Sequence, residues 1–313
     1  MGKIAVIGCG LIGQGWAAVF AQSGFEVAMY DASADAVGRA IEAMHVRISD
    51  LAEFELVETK DIPKIMERIS VAPRLDDAMD GAEYVQESGP ENIDVKREIT
   101  EALDAIAAQD VPIGSSTSGI SASRYCKGIA GRQRCLVVHP INPPHLIPAV
   151  EIVPTPWTDQ NVVSKVNKLM LQCRRETIVL SREIDGFVVN RLQGALLEEA
   201  FKLVGDGIVS ATDLDKAICD GLGLRWSFMG PMQTIHLNAP GGVADYVSRY
   251  GDMYRGFGIG AYDDVDWARI VDEKLQSELD QKIPVASVPD AQVRRDRRLM
   301  ALLHHKSQLR SDI

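Results

Sequence analysis

Hydrophobic and polar positions along this chain switch between two periods, and each switch marks an element. Lys3-Ile-Ala-Val-Ile7 is a continuous apolar run of strand length, and Phe25-Glu-Val-Ala-Met-Tyr30 is a second. Residues 14–22 between them carry the mixture of a helix. A strand buried on both faces is apolar throughout, so an unbroken short run is its signature. Such runs recur at residues 69–72, 83–87, 111–115, 135–138, 149–153 and 177–180. Apolar residues three and four apart predict helices over 34–50, 60–68, 75–79, 95–108, 121–130 and 161–173. Asp94 is the expected N-cap of the helix at 95. The stretch 34–68 reads as a helical insertion between strands. Strands alternating with helices predict an α/β fold with a mostly parallel, doubly wound sheet.

Beyond Asp185 the alternation stops. Helical patterns follow at residues 186–204, 211–219, 229–237, 243–251, 267–279 and 293–309, punctuated by glycine or proline. Two domains are therefore expected: residues 1–184, doubly wound, and residues 185–313, all-helical. The apolar faces around 195–203 and 299–303 exceed what one small bundle needs. They predict a homodimer through the helical domain, unless they build only the core of the monomer.

The first strand leads straight into chemistry. Gly8-Cys-Gly10-Leu-Ile-Gly13 lies between a strand and a helix, and Asp31 ends the next strand about twenty residues on. Gly8 allows the tight turn, Gly10 lets the backbone approach a pyrophosphate, and Gly13 lets helix and strand pack closely. Leu11 and Ile12 open the helix, whose free N–H groups and positive dipole end suit phosphate. Asp31 would accept a hydrogen bond from a ribose 2′-hydroxyl and repel a 2′-phosphate. The expected cofactor is NAD, not NADP, bound by a Rossmann-type domain.

Charge and composition narrow the partners. The net charge is −11 over 313 residues, which argues against nucleic acid and against an anionic membrane surface. No apolar run is long enough to span a bilayer, and the first strand begins at Lys3, so a cytoplasmic protein is expected. The five cysteines, at 9, 126, 135, 173 and 219, have no metal-ligand spacing and read as reduced, mostly buried thiols. His304 and His305 diverge by about 100° on a helix, so no metal site is expected there.

A dinucleotide domain followed by a helical one suggests a dehydrogenase whose small-molecule substrate lies in the cleft between them. Hydride transfer to NAD needs a base for the alcohol proton, and histidine titrates near the working pH. His139 ends one strand and Glu151 lies in the next. If the strands pair antiparallel about His145, the two residues face each other with Cβ atoms about 5 Å apart. A carboxylate there would fix the imidazole tautomer. The alternative is a strand-end histidine and a solvent-facing acid.

The glycine motif, His139-Pro-Ile-Asn-Pro-Pro, Glu151 and Asp185-Gly-Phe-Val-Val-Asn-Arg191 occur in one order across the chain. Together they resemble the 3-hydroxyacyl-CoA dehydrogenase superfamily. The resemblance implies that His139 is the catalytic base and Glu151 its partner. It implies that Ser118 contacts the substrate hydroxyl and that Asn190 positions substrate and nicotinamide. Asn142 matches the motif asparagine on the substrate side, and Glu91 and Lys96 match a glutamate and lysine near the cofactor.

Within the superfamily, Tyr84-Val-Gln-Glu-Ser-Gly-Pro-Glu91 and Gly223-Leu-Arg-Trp-Ser-Phe-Met-Gly-Pro231 are similar to the λ-crystallin/L-gulonate 3-dehydrogenase branch. The second segment is also similar to the carnitine dehydrogenases. Arg225 there would match a substrate carboxylate in bidentate fashion, or hold a loop by a salt bridge. Trp226 would line a pocket or belong to a core. The insertion has only Lys60 and Lys64 among many acids, a poor footprint for CoA phosphates. The expected function is NAD-dependent oxidation of a 3-hydroxy acid, with L-gulonate the leading candidate. Short-chain 3-hydroxyacyl-CoA and carnitine are alternatives, the latter calling for an aromatic cage to which Trp226, Phe228 and Tyr246 could contribute. A crystallin-like structural protein is the non-enzymatic alternative.

Overall fold

The computed structural model describes residues 2–227, 229–257 and 284–309, with 269, 273 and 281 besides. Eight strands form one sheet: β1 (Lys3–Ile7), β2 (Glu26–Tyr30), β3 (Ile69–Val71), β4 (Ala82–Glu87), β5 (Ile113–Ser115), β6 (Cys135–Pro140), β7 (Ala149–Pro154) and β8 (Glu176–Val179). Their order is β3-β2-β1-β4-β5-β6-β7-β8. Pairing is parallel except between β6 and β7, which run antiparallel. The chain builds outward from β1 in one direction and then returns to β4 on its other side. That reversal opens a crevice at the carboxyl ends of β1 and β4, where doubly wound sheets bind ligands.

Seven helices cover this sheet: α1 (Leu11–Gln22), α2 (Ala34–Glu53), α3 (Ile62–Glu67), α4 (Leu75–Met79), α5 (Ile93–Ile106), α6 (Ser123–Cys126) and α7 (Gln160–Gln172). Side chains of β1 alternate between faces. Ile4 and Val6 join Trp16, Phe20, Met44, Ile48 and Val166 in one core. Ala5 and Ile7 join Val85, Leu103 and Tyr125 in the other. The N-cap of α5 is Asn92, not Asp94, because the Asn92 side chain accepts from the backbone N–H of Asp94 at 2.9 Å and of Val95 at 3.1 Å. The helix expected over 121–130 contracts to α6.

By contacts the chain divides into Met1–Asn190 with Val293–Ile313, and Arg191–Gln292. The second unit is helical: α8 (Val189–Gly205, which starts in the first unit), α9 (Ala211–Lys216), α10 (Gly223–Trp226), α11 (Pro231–Leu237) and α12 (Gly242–Gly256). A π-helical turn at Ala217–Leu222 joins α9 to α10. The helix expected over 267–279 and the side chain of Phe228 lie outside the described residues. The last helix is α13 (Val288–Leu309), and for its apolar face the structure shows the monomer-core alternative. Leu299, Met300 and Leu303 pack on Leu51, Phe54 and Leu146, and Arg297 pairs with Glu53. The apolar face around 299–303 is therefore covered by the α/β unit of its own chain. Among the described residues no helix is long and apolar enough to cross a membrane.

Candidate active site

The glycine turn is shaped by its own packing. Gly8 has φ +101°, and a Cβ there would lie 2.6 Å from the Ser88 carbonyl oxygen. A Cβ on Gly13 would lie 1.9 Å from the Gly8 carbonyl oxygen. At Gly10 a Cβ would meet nothing within 4 Å, so this position faces open space. No side chain caps α1, whose first residues are Leu11 and Ile12. A backbone open at Gly10 and an uncapped helix end fit a pyrophosphate. Asp31, just past β2, accepts from the backbone N–H of Cys9 and of Ser33, both at 2.8 Å. A carboxylate offers about four acceptor positions, so two remain for ribose hydroxyls. Burial, and then the Asp31 charge, push the Cys9 thiol up to about 12, so it stays protonated beside the turn.

Behind the crevice lies a buried ion pair. Glu87 ends β4 and Lys96 lies on α5, each side chain 1% exposed, with Nζ 3.1 Å from Glu87 Oε2. The same Nζ is 3.7 Å from Glu91 Oε2. Glu87 also accepts from Ser115 Oγ and, at 2.6 Å, from Gly89 N. Glu91 Oε1 accepts from Thr117 Oγ1 at 2.6 Å, Ser118 N at 3.0 Å and Gly119 N at 3.1 Å. One lysine thus holds two carboxylates, and one of those holds the loop that carries Ser118. Beside it, buried Gln86 accepts from Tyr84 Oη at 2.6 Å and donates to Ser116 Oγ at 2.7 Å, which also accepts from Trp16 Nε1 at 3.1 Å.

His139 and Glu151 are direct partners in the antiparallel register of β6 and β7. His139 Nδ1 lies 2.8 Å from Glu151 Oε2, and both side chains are buried. Glu151 Oε1 accepts from the amides of Val188 at 2.7 Å and Val189 at 3.0 Å. Burial pushes the Glu151 carboxyl up, but the hydrogen bonds from His139 and the two amides outweigh it and hold the group below the usual carboxylate range. An ionised carboxylate on Nδ1 fixes Nδ1–H, so that Nε2 presents its lone pair as a base. Nε2 has no hydrogen-bond partner among the described residues. Phe187, at φ +50°, sets its ring 5.5 Å from the imidazole. Asn190 Nδ2 donates to the Ser118 carbonyl oxygen, bringing the ends of β5 and α8 together. Asn142 is exposed, on the loop after β6.

The structure thus groups Ser118, Glu91, Lys96 and Asn190, and pairs His139 with Glu151. Arg225 belongs to the helical unit. It is exposed, makes no ion pair among the described residues, and lines a cavity of about 440 Å³ with Trp226, Tyr246 and Tyr254. Sequence reasoning missed Glu87 and Gln86. Two polar residues closing a central strand were their only signal. It also missed Phe187, whose backbone conformation no residue type announces.

Models of the 3-hydroxyacyl-CoA dehydrogenase NAD-binding domain and C-terminal domain match residues 3–184 and 186–276. The λ-crystallin homolog of Homo sapiens is 35% identical over 312 residues, covering 98% of this chain and 97% of that protein. The L-carnitine dehydrogenase of Streptomyces coelicolor is 33% identical over 316 residues, covering 98% and 95%. The crystal structure of an NAD-dependent dismutase, 5-formyl-3-hydroxy-2-methylpyridine 4-carboxylic acid 5-dehydrogenase, superposes with a TM-score of 0.81 at 27% identity, covering 96% and 97%. The glycine turn, the crevice at β1 and β4 and the two matched domains agree: the chain belongs to the 3-hydroxyacyl-CoA dehydrogenase family, NAD-dependent oxidoreductases that act on a CH–OH group.

Proposed function

We propose that the protein oxidises a free 3-hydroxy acid to the 3-keto acid, with L-gulonate the leading substrate. The observation that carries the reaction is the His139–Glu151 pair, 2.8 Å apart and buried. On this reading His139 Nε2 takes the proton of the substrate alcohol, and Nδ1–H stays directed at ionised Glu151. NAD, when bound, supplies the hydride acceptor. Gly8, Gly10, Gly13, Leu11 and Ile12 receive its pyrophosphate, and Asp31 its ribose. Ser118 contacts the substrate hydroxyl, Asn190 positions substrate and nicotinamide, and Asn142 serves on the substrate side. Glu91 and Lys96, the glutamate and lysine assigned to the cofactor side, also hold the Ser118 loop through their own ion pair. A structural protein would need none of these groups together.

Arg225 is the proposed carboxylate clamp, supported by its exposure and its place on a cavity wall, with no ion pair among the described residues. Residues 1–184 bind the cofactor and 185–313 serve substrate and dimerisation. A homodimer is supported by the open apolar side chains of the helical unit, among them Leu192 at 65% exposure and Leu224 at 63%. A cytoplasmic location rests on the cysteine usage, all five thiols being free and four of them buried. L-carnitine is the second reading, since Trp226 and Tyr246 line the cavity of Arg225 and one relative is an L-carnitine dehydrogenase.

The test measures NADH formation from L-gulonate, 3-hydroxybutyrate, L-carnitine and 3-hydroxybutyryl-CoA by the native protein and Arg225→Met. L-Gulonate should have the highest kcat/KM. Charge-assisted hydrogen bonds contribute about 1.5–3 kcal/mol each, so losing the clamp should lower turnover of the free acids by about 10²-fold. A CoA ester as best substrate, or free-acid turnover unchanged in Arg225→Met, would overturn the reading.

A further inference from the structure

The cavity beside Arg225 carries more chemistry than a carboxylate clamp needs. Its wall is mostly apolar, with Leu222, Trp226 and Val247, but two phenols from α12 stand on it. Tyr246 Oη and Tyr254 Oη are 2.9 Å apart, and the Tyr250 ring packs 4.9 Å from that of Tyr246. One O–H of the pair is spent between the two oxygens. The other remains a donor, and both oxygens keep acceptor lone pairs. The bond from Tyr254 pushes the Tyr246 phenol up, and the nearby Arg225 guanidinium opposes that rise. Guanidinium and phenol pair therefore share one small space.

A hydroxyl on the carbon next to a carboxylate is held close to that carboxylate by covalent geometry. Whatever binds the carboxylate must deal with the neighbouring hydroxyl. We propose that Tyr246 and Tyr254 form a specificity site for the 2-hydroxyl of the substrate, so that with Arg225 on the carboxylate the protein selects 2,3-dihydroxy acids over 3-hydroxy acids that lack the 2-hydroxyl. The proposal rests on the Arg225 reading above. It explains why an apolar cavity holds a hydrogen-bonded phenol pair beside its single guanidinium. A 2-hydroxyl seated on the exposed phenol pair gains a hydrogen bond that a 3-hydroxy acid without it leaves to water. A cage for a quaternary ammonium uses ring faces and does not need the hydroxyls.

The matched substrates are 2,3-dihydroxybutyrate, in both diastereomers, and 3-hydroxybutyrate, which differ by the one hydroxyl. The native protein should favour one diastereomer of the dihydroxy acid over 3-hydroxybutyrate by about three- to tenfold in kcat/KM, the net worth of a neutral hydrogen bond. Tyr246→Phe and Tyr254→Phe keep the rings and should each bring that ratio close to one, the dihydroxy acid losing more turnover than 3-hydroxybutyrate. Arg225→Met should lower both substrates while the ratio persists. If Arg225→Met changes neither substrate, the clamp fails by itself, and the tyrosine ratio is still read independently. A ratio near one in the native protein, a ratio unchanged in both Phe variants, or an equal fall for both substrates would overturn the proposal. So would a Tyr246→Leu protein that loses only L-carnitine turnover while both Phe variants behave as native, because the rings would then act as a cage.

Discussion

His139 Nδ1 and Glu151 Oε2 lie 2.8 Å apart across the antiparallel pair β6–β7, and the other oxygen of Glu151 is held by two backbone amides at the start of α8. The carboxylate cannot swing away without breaking those amide bonds. Glu151→Gln keeps the size but offers an amide that can donate to Nδ1 and favour the wrong tautomer. We expect kcat to fall by less than the roughly 10²–10⁴ for loss of the base itself, with an altered pH profile. Steady-state rates across pH check this. A native-like profile would remove Glu151 from the reaction.

The same hydrogen bonds make stability depend on pH with a definite sign. They hold the Glu151 carboxyl below its usual range despite burial. The native state therefore takes up the proton less readily than the unfolded chain. The contribution is fully present above the unfolded value of about 4.3 and is lost as pH falls through the lowered native value. The stability difference between native protein and Glu151→Gln should be level from pH 7 to 5 and shrink below about pH 4. Urea unfolding at each pH measures it, and a difference that grows on acidification contradicts the assignment.

Asp31 ties down the glycine turn through Cys9 N and Ser33 N while keeping acceptor capacity. Asp31→Ala should raise the KM for NAD by about 10–10²-fold, the worth of one or two charge-assisted bonds. It should also narrow the preference over NADP, because the repelling charge is gone. An unchanged NAD-to-NADP ratio of kcat/KM would show that Asp31 does not read the ribose.

The Glu87–Lys96 pair is dry, at 1% exposure on each side. Lys96→Met leaves a buried carboxylate without its cation, at a cost of about 3–5 kcal/mol. Each kcal/mol shifts Tm by roughly 2–4 °C in a domain of this size, so a drop on the order of 10 °C is expected in calorimetry. Adding Glu87→Leu should recover part of the loss by removing the stranded charge.

What the sequence revealed follows from how locally each feature is encoded. The Gly8–Gly13 turn and Asp31 lie within one βαβ unit, and the structure gives each glycine a visible reason. The facing of His139 and Glu151 was legible because a short connection centred on His145 fixes the antiparallel register. The Glu87–Lys96 pair was not legible, because it depends on how α5 crosses the end of β4. Neither was the Phe187 contact, which depends on a left-handed backbone at φ +50°. Asp94 was a fair capping residue, yet Asn92 reached two amides from one oxygen. The apolar face at 299–303 looked like surplus for a subunit interface, because no pattern says which surface a terminal helix will cover.

The most direct test of the account is His139→Asn. Asparagine cannot serve as the base, yet it sits on β6 outside the glycine turn that receives the dinucleotide. NADH affinity by fluorescence titration and kcat on the best hydroxy acid are measured together. The account predicts kcat lower by about 10²–10⁴ with NADH affinity within a few-fold of native. A His139→Asn protein with near-native kcat would contradict it.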